Sequence, residues 1–220
     1  MDNLSPTYYY DYESEAIQNL VAEFRTDELS DIEKAIGLYL KVRDGWWYNP
    51  YIISLKKEDY RASWLMERTH GHCIDKAIIL IAGLRALGIP ARIKLAKVKN
   101  HIAVDRLTEL LGTNELTPHG NVTVFLDGKW VKATPAFNKD LCRMISVEPL
   151  EFDGENNSIF QPFNSAGTQF MEYLDDYGDF EDFPFDFVIE NMKSNYPRVK
   201  ELFGEDAEVF DFRKIGSGDS

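Results

Sequence analysis

One segment restricts the folds open to this chain more than any other. Between Cys73 and Gly88, in "CIDKAIILIAGLRALG", the only charged residues are Asp75, Lys76 and Arg85. A helix that is apolar on nearly every side has no face to give to water, so it belongs in the middle of a core. Gly88 reads as its C-terminal cap, and Pro90 prevents the helix from continuing. The polar loop "THGH" precedes it, so Cys73 falls where loop becomes helix. "ARIKLAKV", from Ala91, reads as a strand.

The remaining local signals describe what could cover such a helix. "SEAIQNLVAEF" places Ala16, Ile17, Leu20, Val21 and Phe24 on one helical face. In "SDIEKAIGLYLKVRDG", Ser30 and Glu33 form a capping box, followed by a stripe of Ile32, Ile36, Tyr39 and Leu40. "WWYNPY", Trp46 to Tyr51, reads as an aromatic turn, and Ala62 to Arg68 as a short helix. "HGNVTVFLDGKWVKATPAF", His119 to Phe137, is the clearest hairpin, with Asp127-Gly128 as its two-residue turn. That turn pairs Leu126 with Lys129 and sets His119 opposite Ala136. Thr134 and Asn138 are then diagonal neighbours of His119 on its own sheet face. A slip of one residue would turn His119 to the other face.

Composition narrows the function classes. A chain of 220 residues suffices for one good core with an appendage. A net charge of -13 argues against nucleic acid as partner. No stretch approaches a membrane span, and the acidic N-terminus lacks the pattern of a secretory signal. Two cysteines, with no CxxC, predict free thiols in a reducing cytoplasm. The charge is concentrated: from Met144 to Met192 there are twelve Asp or Glu and no Lys or Arg. Ten Phe and Tyr are interleaved with those acids, Phe152, Phe163 and Phe187 among them. So many aromatics predict an ordered segment lying over the core with its carboxylates solvated. A lid or substrate collar favouring basic peptides is the functional alternative. The expected organisation is a catalytic core over residues 1–148 and an acidic, aromatic-rich extension over residues 149–220. "RKIGSGDS" at the end reads as disordered.

Position gives Cys73 a chemical interest. Backbone N–H groups and the dipole at a helix N-terminus favour the thiolate, predicting a depressed thiol pKa. The plain alternative is a buried cysteine acting as a small hydrophobe. A nucleophilic cysteine needs a base within hydrogen-bond reach, and the chain has four histidines: His70, His72, His101 and His119. "HGHC" lacks the second ligand cluster of a zinc site, so no metal is expected. His70 and His72 read as loop residues near the thiol, and His101 as a solvated loop residue. His119 has polar neighbours, Thr134 and Asn138, able to hold an imidazole in one tautomer.

With these residues in place, the chain resembles the transglutaminase-like superfamily of papain-like Cys-His enzymes, of a bacterial type. "GHCIDKAIILIAGLRALGIPAR" is similar to the nucleophile segment of that family, and "HGNVTVFLDGKWVKATPAF" to its histidine motif. The resemblance covers about the middle third of the chain. It implies an α+β papain-like fold, with a central helix carrying Cys73 packed on an antiparallel sheet carrying His119. It also implies amide chemistry on a protein or peptide substrate through a thioester, with no cofactor. The sequence departs from the family where "WVxVDPT" would carry Asp: Thr134 occupies that position. Thr134, or Asn138 as in papain-like enzymes, is the expected orienter of His119. The backbone N–H of Cys73 is an expected oxyanion donor, with Trp47 or Asn49 as further candidates. Two readings follow: a cysteine-dependent amide hydrolase or acyl transferase, or the same fold with catalysis lost, serving as an interaction module. The oligomeric state is not legible.

Overall fold

The chain first lays down the packing partners of its apolar helix. The structure, a computed structural model, describes residues 3–102, 105–160, 170–204 and 206–215. Helix α1 runs Glu15–Val21 and α2 runs Asp31–Gly45. The expected capping box opens α2: Ser30 Oγ accepts the Glu33 N–H, and Glu33 returns a carboxylate to the Ser30 N–H at 2.8 Å. The segment after α2 is not the aromatic turn that its sequence suggests. Trp47–Tyr48 form a short strand, β1, followed by β2 (Ile52–Ser54), helix α3 (Ala62–Leu65) and β3 (His70–Gly71). β1 and β3 pair in parallel, Trp47 with His70 and Tyr48 with Gly71. That pairing brings the end of α2 beside the loop that leads to Cys73.

Helix α4, Cys73–Ala86, is buried from Cys73 to Arg85. It packs on α1, α2 and α3 on one side and on the sheet on the other. Ile78, Ile79, Leu80 and Ile81 are each at most 1% exposed, and full burial of such side chains contributes roughly 1.5–3 kcal/mol apiece. Its three charges all find partners. Asp75 closes the N-terminal capping box. Arg85 donates to the carbonyls of Ser5 and Ala91 and lies over the Tyr10 ring. Lys76 donates to three carbonyls, those of Arg43, Trp46 and Ala136, at 2.7, 3.0 and 2.8 Å. Burial pulls this ammonium down toward about 7, while three acceptors hold the proton, because a neutral amine could donate to only two of them.

The sheet follows: β4 (Ala91–Asn100), helix α5 (Asp105–Leu111), β5 (Glu115–Leu126) and β6 (Lys129–Ala133). The hairpin register is the expected one, with Leu126 opposite Lys129 and Val122 opposite Ala133. Asp127 and Gly128 both take positive φ, 46° and 80°, as a turn matched to the strand twist requires. After α6 (Lys139–Met144), strand β7 (Met171–Phe180) joins the sheet along β4 and gives the order β6-β5-β4-β7. Residues beyond Glu148 therefore complete the sheet rather than only lying over it. Asp176 and Asp179 are exposed, and both also pair with Lys94. Helices α7 (Phe185–Asn195) and α8 (Pro197–Phe203) and strand β8 (Val209–Asp211) close the order, β8 pairing antiparallel with β2. Phe163 and residues 216–220 of the "RKIGSGDS" end lie outside the described residues, while Phe212–Lys214 form a short 3-10 turn.

Candidate active site

The thiol is placed by the way α4 begins. His72 is the N-cap, its Nδ1 accepting the Ile74 N–H at 3.1 Å, and Asp75 returns a carboxylate oxygen to the His72 N–H at 3.0 Å. A histidine thus performs the task usually given to Ser, Thr, Asp or Asn. Since Nδ1 accepts, the ring proton sits on Nε2, 3.4 Å from the other Asp75 oxygen. His72 is therefore no loop bystander; it fixes Cys73 as the first helical residue. The three-residue spacing from His72 to Asp75 was the available sequence signal. The residue before it must be small: a Cβ on Gly71 would come within 2.9 Å of Asp75 Cβ.

The strand meets the helix at the same point. Gly120 donates its N–H to Cys73 Sγ at 3.4 Å. Only glycine permits that approach, because a Cβ there would stand 2.8 Å from Ile74 Cγ1 and 3.2 Å from Ile74 Cα. His119 precedes Gly120 on β5 and pairs with Ala96 of β4. Cys73, His119 and His72 line one cavity, walled also by Tyr48, Tyr60 and Tyr196.

Burial dominates the electrostatics. Loss of water pushes the Cys73 thiol up to about 11. The N–H groups of Gly120, Ile74 and Cys73 pull it down, as the helix-terminus argument requires, but they do not win. The depressed thiol pKa expected from sequence is thus overturned by the walls around it. His119 is pushed down to about 4, first by burial and then by His72 nearby. At neutral pH the two rest as neutral thiol and neutral imidazole. Cys142, also buried, is likewise pushed up to about 11.

The other site residues fall as follows. Thr134 lies one residue past the end of β6, and its carbonyl accepts the Tyr39 hydroxyl. The expected hydrogen bond from Thr134 to His119 is not made. His119 Nε2 and Thr134 Oγ1 are both buried with no partner among the described residues, and so is Asn121 Oδ1. His119 and Asn121, two residues apart on one strand, share a sheet face. Asn138 does not turn to His119 either; its Oδ1 accepts the Tyr48 N–H at 3.0 Å. Trp47 is 50% exposed and does not line the cavity. The Asn49 carboxamide oxygen is taken by the Tyr51 N–H. Among the described residues no group of three or more His, Cys, Asp or Glu is arranged to hold a metal ion, and no helix is long and apolar enough to cross a membrane.

Comparison with known proteins follows the same residues. The model of the transglutaminase-like superfamily matches residues 18–135, a span that contains Cys73, His119 and Thr134. Among solved structures, the chain is similar to that of "a Putative Cysteine Protease from Cytophaga hutchinsonii", at 21% identity and a TM-score of 0.45. That match covers 60% of this chain and 40% of the other, so the chain spans less than half the length of that protein. No curated protein matches the sequence.

Proposed function

The chain belongs to the transglutaminase-like superfamily, and from that premise we propose that it is a cysteine-dependent amide hydrolase or acyl transferase working through a thioester on Cys73. One observation carries this reading. The first residue of the central helix presents its thiol to the Gly120 N–H at 3.4 Å, and His119, the residue before Gly120, lines the same cavity.

Because the resting pair is neutral, proton transfer accompanies attack. Cys73 Sγ adds to the carbonyl carbon of the substrate amide as His119 takes the thiol proton. The oxyanion of the tetrahedral intermediate is met by the Cys73 N–H at the positive end of α4. On collapse the C–N bond breaks and the imidazolium gives its proton to the departing amine. Water then attacks the thioester with His119 again as base, releasing a carboxylic acid and the thiol. A second amine in place of water would give transfer, but hydrolysis is the simpler outcome. The substrate is a protein or peptide, met in a reducing cytoplasm where Cys73 and Cys142 stay free.

A second reading, an interaction module on this fold with catalysis lost, is favoured by one observation. His119 Nε2 and Thr134 Oγ1 lack the bond that would orient the base. Acylation separates the two readings. The protein is mixed with p-nitrophenyl esters and peptide anilides, quenched in acid, and mapped by mass spectrometry. An acyl adduct on Cys73 that is absent in Cys73→Ala and slowed at least tenfold in His119→Ala supports the enzyme. An adduct rate unaffected by His119→Ala moves the assignment to the module.

A further inference from the structure

We propose that the cavity beside Cys73 is a binding pocket for a short, uncharged, apolar group, the side chain or alkyl chain of the acyl portion of the substrate. This rests on the reading of Cys73 as the nucleophile. The cavity has a volume of about 70 Å³, roughly half that of a dry cavity able to admit benzene. That is room for a group of about three or four carbons. Its inner wall comes from the core, through Ile53, Ile74 and Leu116. Its outer wall comes from Met192, Tyr196, Val199, Phe210 and Phe212. All five lie beyond residue 135, where the family match ends, so this wall is a feature of this chain's own C-terminal segment.

Most of the polar groups around the cavity are engaged with the protein, the exceptions being His119 Nε2 and the Tyr48 hydroxyl. The Tyr60 hydroxyl donates to the Ser54 carbonyl. The Tyr196 hydroxyl accepts the Thr117 N–H at 2.6 Å and donates to the Glu115 carbonyl at 3.0 Å. Thr117 Oγ1 lies within 2.9 Å of the Tyr177 hydroxyl and the Asn191 side-chain oxygen. His72 has one nitrogen on Ile74 and the other beside Asp75. A carboxylate or an ammonium placed here would leave water and find no oppositely charged side chain in the lining, which disfavours it strongly. An alkyl group gains by the same burial, about fourfold per methylene. Cys73 and His119 are themselves part of the lining, so a carbonyl carbon brought to Sγ would carry its neighbouring apolar group into this space.

The test uses the intact protein and reagents that share one reaction. Alkyl methanethiosulfonates transfer an alkylthio group to a thiolate, forming a mixed disulfide and releasing methanesulfinate. The probes are n-propyl, 2-sulfonatoethyl and 2-(trimethylammonio)ethyl methanethiosulfonate. Labelling of Cys73 is followed by peptide mapping, and each rate is divided by that of the same reagent on urea-unfolded protein. The expected result is a normalised rate for propyl at least roughly tenfold above either charged reagent. Met192→Ala and Val199→Ala, each first shown by circular dichroism to be folded, should move the preference from propyl to pentyl. Equal normalised rates for the three reagents would overturn the pocket, and so would failure of all three to label folded protein. The enzyme reading fails separately. Apolar-selective labelling with no acyl adduct from any ester removes the hydrolase and keeps the pocket. Acylation by p-nitrophenyl butyrate and mono-p-nitrophenyl succinate at equal rates keeps the hydrolase and removes the pocket.

Discussion

The peptide N–H of Gly120 lies 3.4 Å from the sulfur of Cys73, so strand and helix meet backbone to thiol with no side chain between them. A residue that contributes no atoms beyond the main chain sets the distance between the two elements carrying the proposed nucleophile and base.

Gly120→Ala should therefore damage the site out of proportion to its size. The added methyl meets Ile74 at 2.8 Å and must push the start of α4 off β5. Overpacking of this kind costs about 1–3 kcal/mol, to be read by urea unfolding. Acylation of Cys73 should fall with it. An unchanged midpoint together with unchanged acylation would show that the close approach is dispensable.

Reactivity of the thiols is a second expectation. With both cysteines pushed up to about 11, iodoacetamide at pH 7 should modify each of them roughly a hundredfold more slowly in the folded protein than in urea. The rate at Cys73 should climb on the alkaline side. Rapid selective modification of Cys73 at mildly acidic pH would instead reveal an open site holding a thiolate.

Thr134→Val gives opposite signs for structure and chemistry. The hydroxyl is buried without a partner, so a methyl of similar shape should raise stability by about 1 kcal/mol. If Thr134 orients His119 during the reaction, acylation should nevertheless slow several-fold and its pH dependence should change. Thr134→Asp should preserve or raise the rate. Damage from Asn138→Ala with a silent Thr134→Val would assign the orienting role to Asn138 instead.

His119 also shapes the response to acid. Its folded pKa of about 4 lies below the ordinary 6.5, so between those values the unfolded chain binds the proton and the folded protein does not. Stability is therefore lost as pH falls through that window, by about 1.5 kcal/mol between pH 6.5 and pH 5. His119→Gln should remove this part of the slope in urea titrations at the two pH values. An identical slope in wild type and variant would place the imidazole in water. His72, also pushed down by burial, adds a smaller contribution of the same sign.

What the sequence made legible were features decided by neighbours close in the chain. The apolar helix, the Ser30–Glu33 box and the hairpin register each rest on spacings of a few residues, and all three are found. The features that escaped depend on distant partners. Strand β7, "MEYLDDYGDF", has neither alternation nor high β propensity. It is held by pairing along β4 that shifts register twice and by Lys94 reaching Asp176 at 2.7 Å, so tertiary pairing overrides its local preference. The cap formed by His72 escaped because histidine is not among the favoured N-cap residues. The thiol pKa is not legible locally because the walls around Cys73 come from distant segments, from Tyr48, Ile53 and Tyr60 before it to Leu116 and Met192 after it.

That separation has a consequence for the order in which the protein comes into being. Ribosomes deliver the chain from its N-terminus, so Cys73, His119, Thr134 and Asn138 are all present before Met192, Tyr196, Val199, Phe210 and Phe212 emerge. During that interval the sheet also lacks β7, and the edge of β4 has no partner along the length that β7 later occupies. A nascent chain halted in this interval would hold Cys73 beside only part of its cavity, the walls from Tyr48, Ile53, Tyr60 and Leu116. The shielding of the sulfur is therefore complete only when the last of the chain has joined the fold.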